Sequence, residues 1–507
     1  MPINSAFNWF IRRRMAQVEL VRNHPVESQR GVFSSLLHHG QGTAFGEEHG
    51  FSAIRNLREF RAQVPIRDYD GLKPWIERAR EGEAGVLWPG VTSWFAKSSG
   101  TTSDRSKYLP VTEDSLQSSH FNGGKDLLAV FCEARPEARL YEGKHLGLGG
   151  SRSAEQTASG AFTGDLSAII INRMPFWARA RRTPALDIAL MPDWEVKVDA
   201  MAKATSKEDV RILAGVPSWM LVVGKRVLEM TGAQTLGEVW PNLQLFMHGG
   251  VNFSPYRAQF QEMIGDVRMG MEYMETYNAS EGFFGLQDRV GAEDMLLMMD
   301  YGIYFEFLPP SEWESAYPQT LELRELELGK EYALVISTNA GLWRYNLGDV
   351  IRVTELRPFR FQVVGRTQAA LNAFGEEVMV RQVEEALLRA CEATGARVTE
   401  FTVAPIFMVP GAPGGHEWLV DFEQVPSDTD RFVEVVDATL RGLNSDYDAK
   451  RTGGIAMAPP RLTVLPAGTV ESWLRAKGRM GGQFKVPRCA SHRRWAEELT
   501  QAAHEWV

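Results

Sequence analysis

Cysteine is scarce in this chain, and the few cysteines lie far apart. Cys132, Cys391 and Cys489 are the only three among 507 residues. An odd number of widely spaced thiols argues against a disulfide scaffold and against a cysteine-rich zinc site. The ten histidines also lack the His-x-x-x-His spacing of a helical zinc site. This cysteine usage fits a reducing compartment, and we expect a cytoplasmic protein.

Excess positive charge and long apolar runs are missing as well. The chain carries 55 Lys and Arg against 64 Asp and Glu, a net charge of -9, whereas proteins that bind duplex nucleic acid are usually basic. No stretch of about 18 apolar residues occurs. The arginines at 12–14 are not followed by an apolar run of signal-peptide length. We therefore expect neither nucleic acid nor a membrane as a partner.

The most informative segment that is present covers residues 97–112, which read KSSGTTSDRSKYLPVT. Four hydroxyl side chains flank Gly100, and Arg105 and Lys107 follow. Hydroxyls and free backbone N–H groups bind phosphate oxygens, and glycine lets the backbone approach them closely. The segment is not a Walker loop, because no Gly-Lys-Ser/Thr follows a Gly four positions earlier. On its own it also fits a polar loop between two strands.

A second polar segment, residues 275–282, reads ETYNASEG at the end of a predicted strand. Glu281 can hold Mg²⁺, which prefers carboxylate and phosphate oxygens, and Tyr277 can stack on a purine. An exposed turn explains the same residues equally well.

A third polar segment, residues 341–350, reads GLWRYNLGDV. Asp349 follows a glycine and precedes a predicted strand, where its carboxylate can accept hydrogen bonds from both hydroxyls of a ribose. Aspartate is also common in ordinary glycine turns.

A fourth polar segment lies near the C-terminus, where Lys485 follows the glycine-rich residues 478–482. A lysine on a mobile domain can enter a site and stabilise charge that develops on phosphate. An exposed lysine without such a role is the simpler interpretation of this segment taken alone.

The pattern of apolar residues predicts two domains with a boundary near Arg366. The first hundred residues are predicted to be mainly helical, with a loop over Phe60 to Tyr69, and helix continues over 110–130 with Thr112 as N-cap. Predicted strands follow at 243–247, 272–277, 295–307 and 331–338. The remainder, 367–507, is predicted to be a compact α+β unit with helices at 376–393 and 431–443 and strands at 402–409, 417–422 and 461–465.

The order of these segments resembles that of the adenylate-forming enzymes. Their amino-acid sequences resemble those of the Gretchen Hagen acyl acid–amido synthetases. Residues 98–107, 277–281 and 344–349 look like that family's phosphate, second and third motifs, and the likeness runs from about Gln29 to Arg488. Residues 103–107 and 367–377 differ from the pattern of the family's plant members. In this the chain is similar to bacterial-type members. The resemblance therefore does not carry plant hormones over as substrates.

The resemblance implies an α/β fold. A large N-terminal adenylate-forming domain, 1–366, would bind ATP and the acyl acid. It would consist of mixed sheets and a small barrel, with helices packed around them. A small mobile C-terminal α+β domain, 367–507, would follow. The resemblance also implies ATP and Mg²⁺. The residues expected to bind the nucleotide and its phosphates are Ser98, Ser99, Gly100, Thr101, Thr102, Gly249, Gly250, Tyr277, Ser280, Asp349 and Arg366, and those expected to act in catalysis are Lys107, Glu281 and Lys485, with Glu281 as the metal ligand.

The reaction that the resemblance implies has two steps. A carboxylate attacks the α-phosphate of ATP and releases pyrophosphate, and an amine, usually from an amino acid, then attacks the acyl carbon and releases AMP. Transfer of the acyl group to coenzyme A or a carrier thiol is one alternative, and a nucleotide-binding regulatory protein without turnover is another. Candidate acyl-pocket residues are Phe121, Trp219, Met247 and Tyr301, each of which also fits a place in the core.

Overall fold

The computed structural model describes residues 3–99, 106–150, 155–251, 253, 256–313, 315–367, 370–409, 412–452, 457–476 and 486–505. It divides into two compact units. The first contains residues 1–98, 107–250 and 260–367, and the second contains 99–106, 251–259 and 368–507. The assignment of nucleotide and acid binding to one domain and of mobility to the other stays a prediction.

The helices before residue 81 confirm the prediction that the first hundred residues are mainly helical, and the helices of the first unit extend from residue 3 to residue 264. They are α1 (Ile3–Arg12), α2 (Met15–Asn23), α3 (Pro25–Gly40), α4 (Ala44–Glu48), α5 (Leu57–Gln63), α6 (Tyr69–Arg80), α7 (Glu113–Ser115), α8 (Phe121–Ala134), α9 (Leu166–Arg173), α10 (Phe176–Arg179), α11 (Leu186–Ala189), α12 (Trp194–Thr205), α13 (Pro217–Thr231), α14 (Leu236–Val239) and α15 (Arg257–Ile264), the last of which begins in residues grouped with the second unit.

Local capping explains several of these helix starts. The side chain of Thr112 accepts a hydrogen bond from the backbone N–H of Ser115, so the predicted N-cap is confirmed. The predicted loop over Phe60 to Tyr69 is too long, because Asn56 caps a helix that extends to Gln63. Among the residues that the structure describes, no helix combines the length and apolar character that crossing a bilayer requires.

The strands of the first unit form two sheets. They are β1 (Trp94–Ser99), β2 (Ser106–Val111), β3 (Lys144–Gly147), β4 (Glu155–Gln156), β5 (Phe162–Gly164), β6 (Arg182–Thr183), β7 (Val210–Gly215), β8 (Leu245–Gly249), β9 (Glu272–Ala279), β10 (Gly282–Leu286), β11 (Met295–Leu297), β12 (Ile303–Leu308), β13 (Glu331–Thr338), β14 (Tyr345–Leu356) and β15 (Phe359–Arg366). The predicted strand over 295–307 is in fact two strands, because Met299 and Asp300 make a turn inside it and the chain bends at Tyr301 and Gly302.

The larger sheet is parallel on one side and antiparallel on the other. Its order is β12-β13-β14-β15-β11-β10-β9-β8-β7-β3-β6, with parallel pairing from β6 through β3, β7 and β8 to β9 and antiparallel pairing in the rest. The smaller sheet has the order β2-β1-β5-β4. The main hydrophobic core packs the N-terminal helices against the antiparallel half, where β12 and β13 are buried almost throughout.

The second unit is a small α+β arrangement. It contains β16 (Ala370–Leu371), β17 (Val378–Met379), α16 (Val380–Thr394), β18 (Arg397–Ile406), β19 (Gly415–Gln424), α17 (Thr429–Leu443), α18 (Ser445–Arg451), β20 (Arg461–Leu465), α19 (Thr469–Ala476) and α20 (Arg494–Glu505). The strands β18, β19 and β20 form one sheet, antiparallel between the first two and parallel between the last two.

Candidate nucleotide site

The carboxyl ends of the parallel strands are rich in glycine. β3 ends at Gly147, β7 at Gly215 and β8 at Gly249, which is followed by Gly250. In open α/β sheets, ligands bind outside the carboxyl ends of the strands. The predicted residues Gly249, Gly250 and Tyr277 therefore lie together at an edge where a ligand is expected.

The two predicted glycines are required by the protein itself. A Cβ on Gly249 would lie 2.2 Å from the carbonyl oxygen of Thr276 on the neighbouring strand β9, and Gly250 has a φ of +83°. The first position is therefore closed to a side chain by the backbone of β9, and the second by its left-handed conformation. Backbone geometry is thus a sufficient reason for glycine at both positions, and their part in binding a nucleotide stays a prediction.

Strands β9 and β10 form a tight hairpin that presents Ser280 and Glu281 at its tip. Ala279 pairs with Gly282, so these two residues are the whole turn. Both are half-buried. The predicted strand-end loop is confirmed, and the structure makes Glu281 a carboxylate at a defined position.

Asp349 is the centre of a polar cluster with Tyr277 and Arg366. The Tyr277 hydroxyl donates to Oδ2 of Asp349, and Nε of Arg366 lies 3.3 Å from Oδ1. Arg366 also donates to the carbonyl of Leu347 at 2.8 Å. Burial, followed by the Asp349 charge, raises the pKa of Tyr277 well above its ordinary value, so this hydroxyl stays a hydrogen-bond donor at physiological pH.

The Tyr277–Asp349 contact requires the larger sheet to curl. β9 and β14 are separated in the sheet by β10, β11 and β15, and four steps of a flat sheet would cover about 19 Å. Gly285 on β10 allows this closeness, because a Cβ there would lie 2.7 Å from the ring of Phe361 on β15. The strand order is that of an open sheet among the described residues, and the curled antiparallel half occupies the place of the expected small barrel.

Asp349 lies inside a strand, which corrects the prediction that it precedes one. It is the fifth residue of β14 and pairs with Arg366 of β15. Gly348, with a φ of +81°, accounts for the turn-like sequence, because its amide donates to the side chain of Asn346 at 3.1 Å without ending the strand. The side-chain contact of Asp349 with Arg366 is therefore fixed by strand register.

The phosphate segment forms the paired strands β1 and β2. Ser98 lies near the end of β1, and Lys107, 7% exposed, lies in β2 with its Nζ 6.0 Å from the ring centre of Tyr69. Of the other predicted residues, Gly100, Thr101, Thr102 and Lys485 lie outside the described residues, as does the side chain of Ser99. Their roles stay predictions.

Arg344, which opens the third motif, has a structural role. Its guanidinium makes two hydrogen bonds to the carboxylate of Glu306, at 2.9 and 3.1 Å, and a third to the carbonyl of Val64 at 2.8 Å. Its side chain is 5% exposed and that of Glu306 is 1% exposed. A buried ion pair thus anchors Arg344, the residue directly before β14, to β12.

Two of the four acyl-pocket candidates belong to the interior. Tyr301 is fully buried with its hydroxyl on Asp126 at 2.7 Å, and Phe121 is also buried. Trp219 and Met247 are half-buried, the first in the opening turn of α13 and the second on β8. These two stay as candidates because they lie at the carboxyl edge of the parallel strands.

Sequence reasoning missed the loop after β3. The buried amine of Lys197 donates to the carbonyls of Gly149 and Gly150 at 2.5 and 3.1 Å, and Ser167 accepts from the amide of Gly150 at 2.8 Å. Burial lowers the pKa of Lys197 to about 8, against the opposing charge of Asp165. The signal was the glycine-rich run that directly follows Leu146.

Glu281, the predicted ligand of a divalent cation, lies at the tip of the β9–β10 hairpin. Among the described residues, no group of three or more Asp, Glu, His and Cys side chains could hold a metal ion by itself. Mg²⁺ is commonly held by one or two carboxylates together with substrate phosphates, so a single half-exposed glutamate at a hairpin tip fits such an ion.

Family models cover most of the chain. The GH3 family N-terminal domain matches residues 14–269, the GH3 family central domain matches 296–366, and the GH3 family C-terminal domain matches 381–494. The first of these alone spans about half of the 507 residues.

Similar proteins and structures agree with these matches. Indole-3-acetic acid-amido synthetase GH3.3 of Arabidopsis thaliana is 23% identical, over 91% of this chain and 89% of that protein. Indole-3-acetic acid-amido synthetase GH3.8 of Oryza sativa subsp. indica is 25% identical, over 91% and 88%.

Two solved structures share the fold. The GH3.15 acyl acid amido synthetase has a TM-score of 0.61 at 16% identity and covers 97% of this chain and 96% of its own. A 2-hydroxyisobutyryl-CoA ligase with 2-HIB-AMP and CoA has a TM-score of 0.54 at 15% identity, covering 96% and 94%. The predicted fold class and family are thus confirmed, and the chain belongs to the GH3 family.

Proposed function

We propose that this chain is an ATP-dependent acyl acid amido synthetase. A carboxylate oxygen of the acid attacks the α-phosphorus of ATP, and pyrophosphate leaves. The nitrogen of an amino acid then attacks the acyl carbon, the bond to AMP breaks, and an amide and AMP are the products. Because a free carboxylate acylates poorly and AMP is a good leaving group, the protein has mainly to align charged reactants.

The observation that carries this proposal is the Tyr277–Asp349–Arg366 cluster in a GH3 chain. It joins the second motif to the third and lies beside the glycine edge of β8, through the pairing of Gly249 with Thr276. Segments about seventy residues apart therefore meet at one place, as binding of a single nucleotide requires.

In this proposal Asp349 receives the ribose hydroxyls. Tyr277 and Arg366 each contact one of its oxygens, so they orient the carboxylate while lone pairs remain for further donors. The glycine edge and the Tyr277 ring form the adenine slot, and Arg366, at the end of β15, is also the hinge before the second unit.

The phosphates are assigned to the β1–β2 hairpin and to two lysines. The hydroxyl and amide donors are Ser98, Ser99, Gly100, Thr101 and Thr102, with Ser280 added from the β9–β10 turn, and the cations are Lys107 and Lys485. Lys107 lies within the paired strand β2, which suits a charge at a fixed position. Lys485 is assigned as the mobile cation on its sequence context.

Glu281 would hold Mg²⁺ together with the phosphates. The ion, when bound, neutralises phosphate charge and orients the triphosphate for attack. The contribution of the protein is to keep the carboxylate at the tip of a two-residue turn.

The substrates we propose are a small carboxylic acid and an amino acid. Trp219 and Met247 offer an apolar wall for the acid at the same sheet edge. The three cysteines are free thiols, two of them buried, which supports a cytoplasmic protein.

The test is a screen of carboxylic acids for ATP-dependent pyrophosphate release, with no acceptor, with pooled amino acids or with coenzyme A. We expect one class of acid to release pyrophosphate, amino acids to accelerate it, and the amide to appear by mass spectrometry. Asp349→Ala should abolish the signal, and Asp294→Ala, which removes a carboxylate in another loop, should not.

Two outcomes would replace this function. A thioester in place of an amide would assign the chain to acyl thioester ligases, the class of the similar CoA ligase. Tight ATP binding with no adenylate from any acid would assign it to regulatory nucleotide-binding proteins.

A further inference from the structure

A π turn, Leu116–His120, connects α7 to α8. Such turns insert one residue into the helical ladder and are frequent at functional sites. Three successive side chains of this turn, Ser118, Ser119 and His120, each hydrogen-bond to a residue far away in the chain.

Ser119 and His120 hold the two members of one cross-strand pair. The Ser119 hydroxyl accepts from the backbone N–H of Phe283 at 2.9 Å. Nδ1 of His120 lies 2.8 Å from Oδ1 of Asn278. Phe283 and Asn278 are direct partners in the β9–β10 register, so both strands of the hairpin are fastened at one position.

The fastened pair is the second from the tip of the hairpin. The pair Ala279–Gly282 follows, and then the turn with Glu281. A Cβ on Gly123, in the first turn of α8, would lie 2.5 Å from the Phe283 ring. Helix and hairpin are therefore packed as closely as glycine allows, and the pair Ala279–Gly282 and the turn lie beyond this contact.

His120 acts as a fixed donor. It is 6% exposed, and burial lowers its pKa to about 4, against the opposing hydrogen bond to Asn278. The imidazole is therefore neutral at physiological pH, and the Nδ1–H tautomer donates to the amide oxygen.

Ser118 connects the same turn to the loop before the third motif. Its hydroxyl accepts from the side chain of Asn339 at 2.7 Å. Thr112, at the end of the phosphate hairpin, donates to the carbonyl of the same asparagine at 2.8 Å. The segment 112–120 thus connects the end of the first motif to the second motif and to the loop that precedes the third.

We propose that Ser119 and His120 are positioning residues that set the β9–β10 turn, and with it Glu281, for the metal-bound triphosphate. The inference rests on the proposed function for the role of Glu281. The geometric part, that the π turn fixes the hairpin, is independent of that role.

The geometric part is tested by hydrogen exchange on the full chain. Ser119→Ala and His120→Leu should each speed amide exchange in residues 278–283, while exchange in β13 stays as in the unchanged protein. Gln117→Ala is the matched control, because Gln117 is exposed on the same turn and its side chain donates to its near neighbour Glu113 instead of the hairpin. Unchanged protection of 278–283 in both variants would overturn the proposal, whatever the enzyme does.

The functional part is tested by pyrophosphate release at varied Mg²⁺ and ATP. We expect His120→Leu to raise the Mg²⁺ concentration for half-maximal rate and to lower kcat by about tenfold, with the KM for ATP nearly unchanged. His120→Asn, whose amide can donate from the same place, should restore both. A loss of active enzyme without a shift in Mg²⁺ dependence, or no rescue by asparagine, would contradict positioning.

Discussion

At the scale of single residues, removal of the Tyr277 hydroxyl tests the proposed nucleotide site most directly. Tyr277→Phe keeps the ring between Phe284 and Phe361, at centroid distances of 4.8 and 6.0 Å, and removes the donor to Asp349. A hydrogen bond to a charged group contributes about 1.5–3 kcal/mol, so we expect ATP affinity to fall by at least tenfold in calorimetry.

The matched control for this change is Tyr332→Phe. It removes another buried hydroxyl, which accepts from the backbone N–H of Glu327 at 3.1 Å, away from the cluster. Equal ATP affinity in Tyr277→Phe and in the unchanged protein would mean that Asp349 does not contact the nucleotide in the orientation described.

The buried pair of Arg344 and Glu306 predicts a large loss of stability. Removing Arg344 leaves the buried Glu306 carboxylate with part of its compensation, from Arg61 at 2.9 Å, and losing hydrogen bonds to a charged group costs about 1.5–3 kcal/mol. Arg344→Met should therefore lower the free energy of unfolding in urea by that amount.

The exposed pair of Arg352 and Glu331, at 2.7 Å, provides the comparison. Arg352→Met should cost less than about 1 kcal/mol. A similar small cost for Arg344→Met would show that the third motif does not depend on this ion pair.

At the scale of elements, the approach of β8 to β9 depends on Gly249. A Cβ there meets the backbone oxygen of Thr276 at 2.2 Å, and backbone cannot yield as a flexible side chain can. We expect Gly249→Ala to destabilise the protein by about 1–3 kcal/mol and to weaken ATP binding, as read by denaturant unfolding and calorimetry.

Gly147 gives the matched control at the end of the neighbouring parallel strand β3. A Cβ there would have no atom within 4 Å, so Gly147→Ala should change stability by less than about 0.5 kcal/mol. Equal effects of the two substitutions would contradict the close approach of β8 and β9.

The accuracy of prediction from the sequence also differs between elements. The strand at 331–338 was predicted with its exact bounds because it is a continuous apolar run, and the cap at Thr112 because capping is local. Asp349 was misplaced because Gly348 imitates a turn.

The contacts of the site are not local in sequence. The partnership of Tyr277 with Asp349 depends on how far the sheet curls, and that of Arg344 with Glu306 on strand register. The family resemblance supplied the identities of the site residues, while the structure supplied their partners.

At the scale of the whole molecule, buried histidines predict that stability falls on mild acidification. Burial lowers the pKa of His120 and of His145 to about 4, below the usual value near 6.5. The unfolded chain therefore binds more protons between pH 6.5 and 4. Each histidine lowers the free energy of unfolding by up to about 1.4 kcal/mol per pH unit in that window.

Urea unfolding between pH 7 and 4.5 checks this prediction. His120→Asn should have a shallower decline than the unchanged protein. A free energy of unfolding that stays constant down to pH 5 in both would contradict neutral, buried imidazoles.

Asp300 has the opposite effect on how the free energy of unfolding depends on pH. Burial raises its pKa to about 6, so the folded chain binds the extra proton between pH 6 and 4 and gains stability as the pH falls. Asp300→Asn should therefore stabilise the protein at pH 7 by about 2–3 kcal/mol and steepen the acid decline. Lower stability of this variant at pH 7 would show that the carboxylate is needed in its ionised form.

The central claim is that this molecule activates a carboxylic acid as an acyl-adenylate, and the fate of a carboxylate oxygen tests it most directly. An acid from the screen, labelled with ¹⁸O in its carboxylate, is converted with ATP and the amino acid, and the nucleotide products are analysed by mass spectrometry. Because the acid oxygen bonds to the α-phosphorus and stays there when the amine attacks, we predict one ¹⁸O in AMP for each amide formed. Label in inorganic phosphate with ADP as the nucleotide product, or amide formation with unlabelled AMP, would contradict the account.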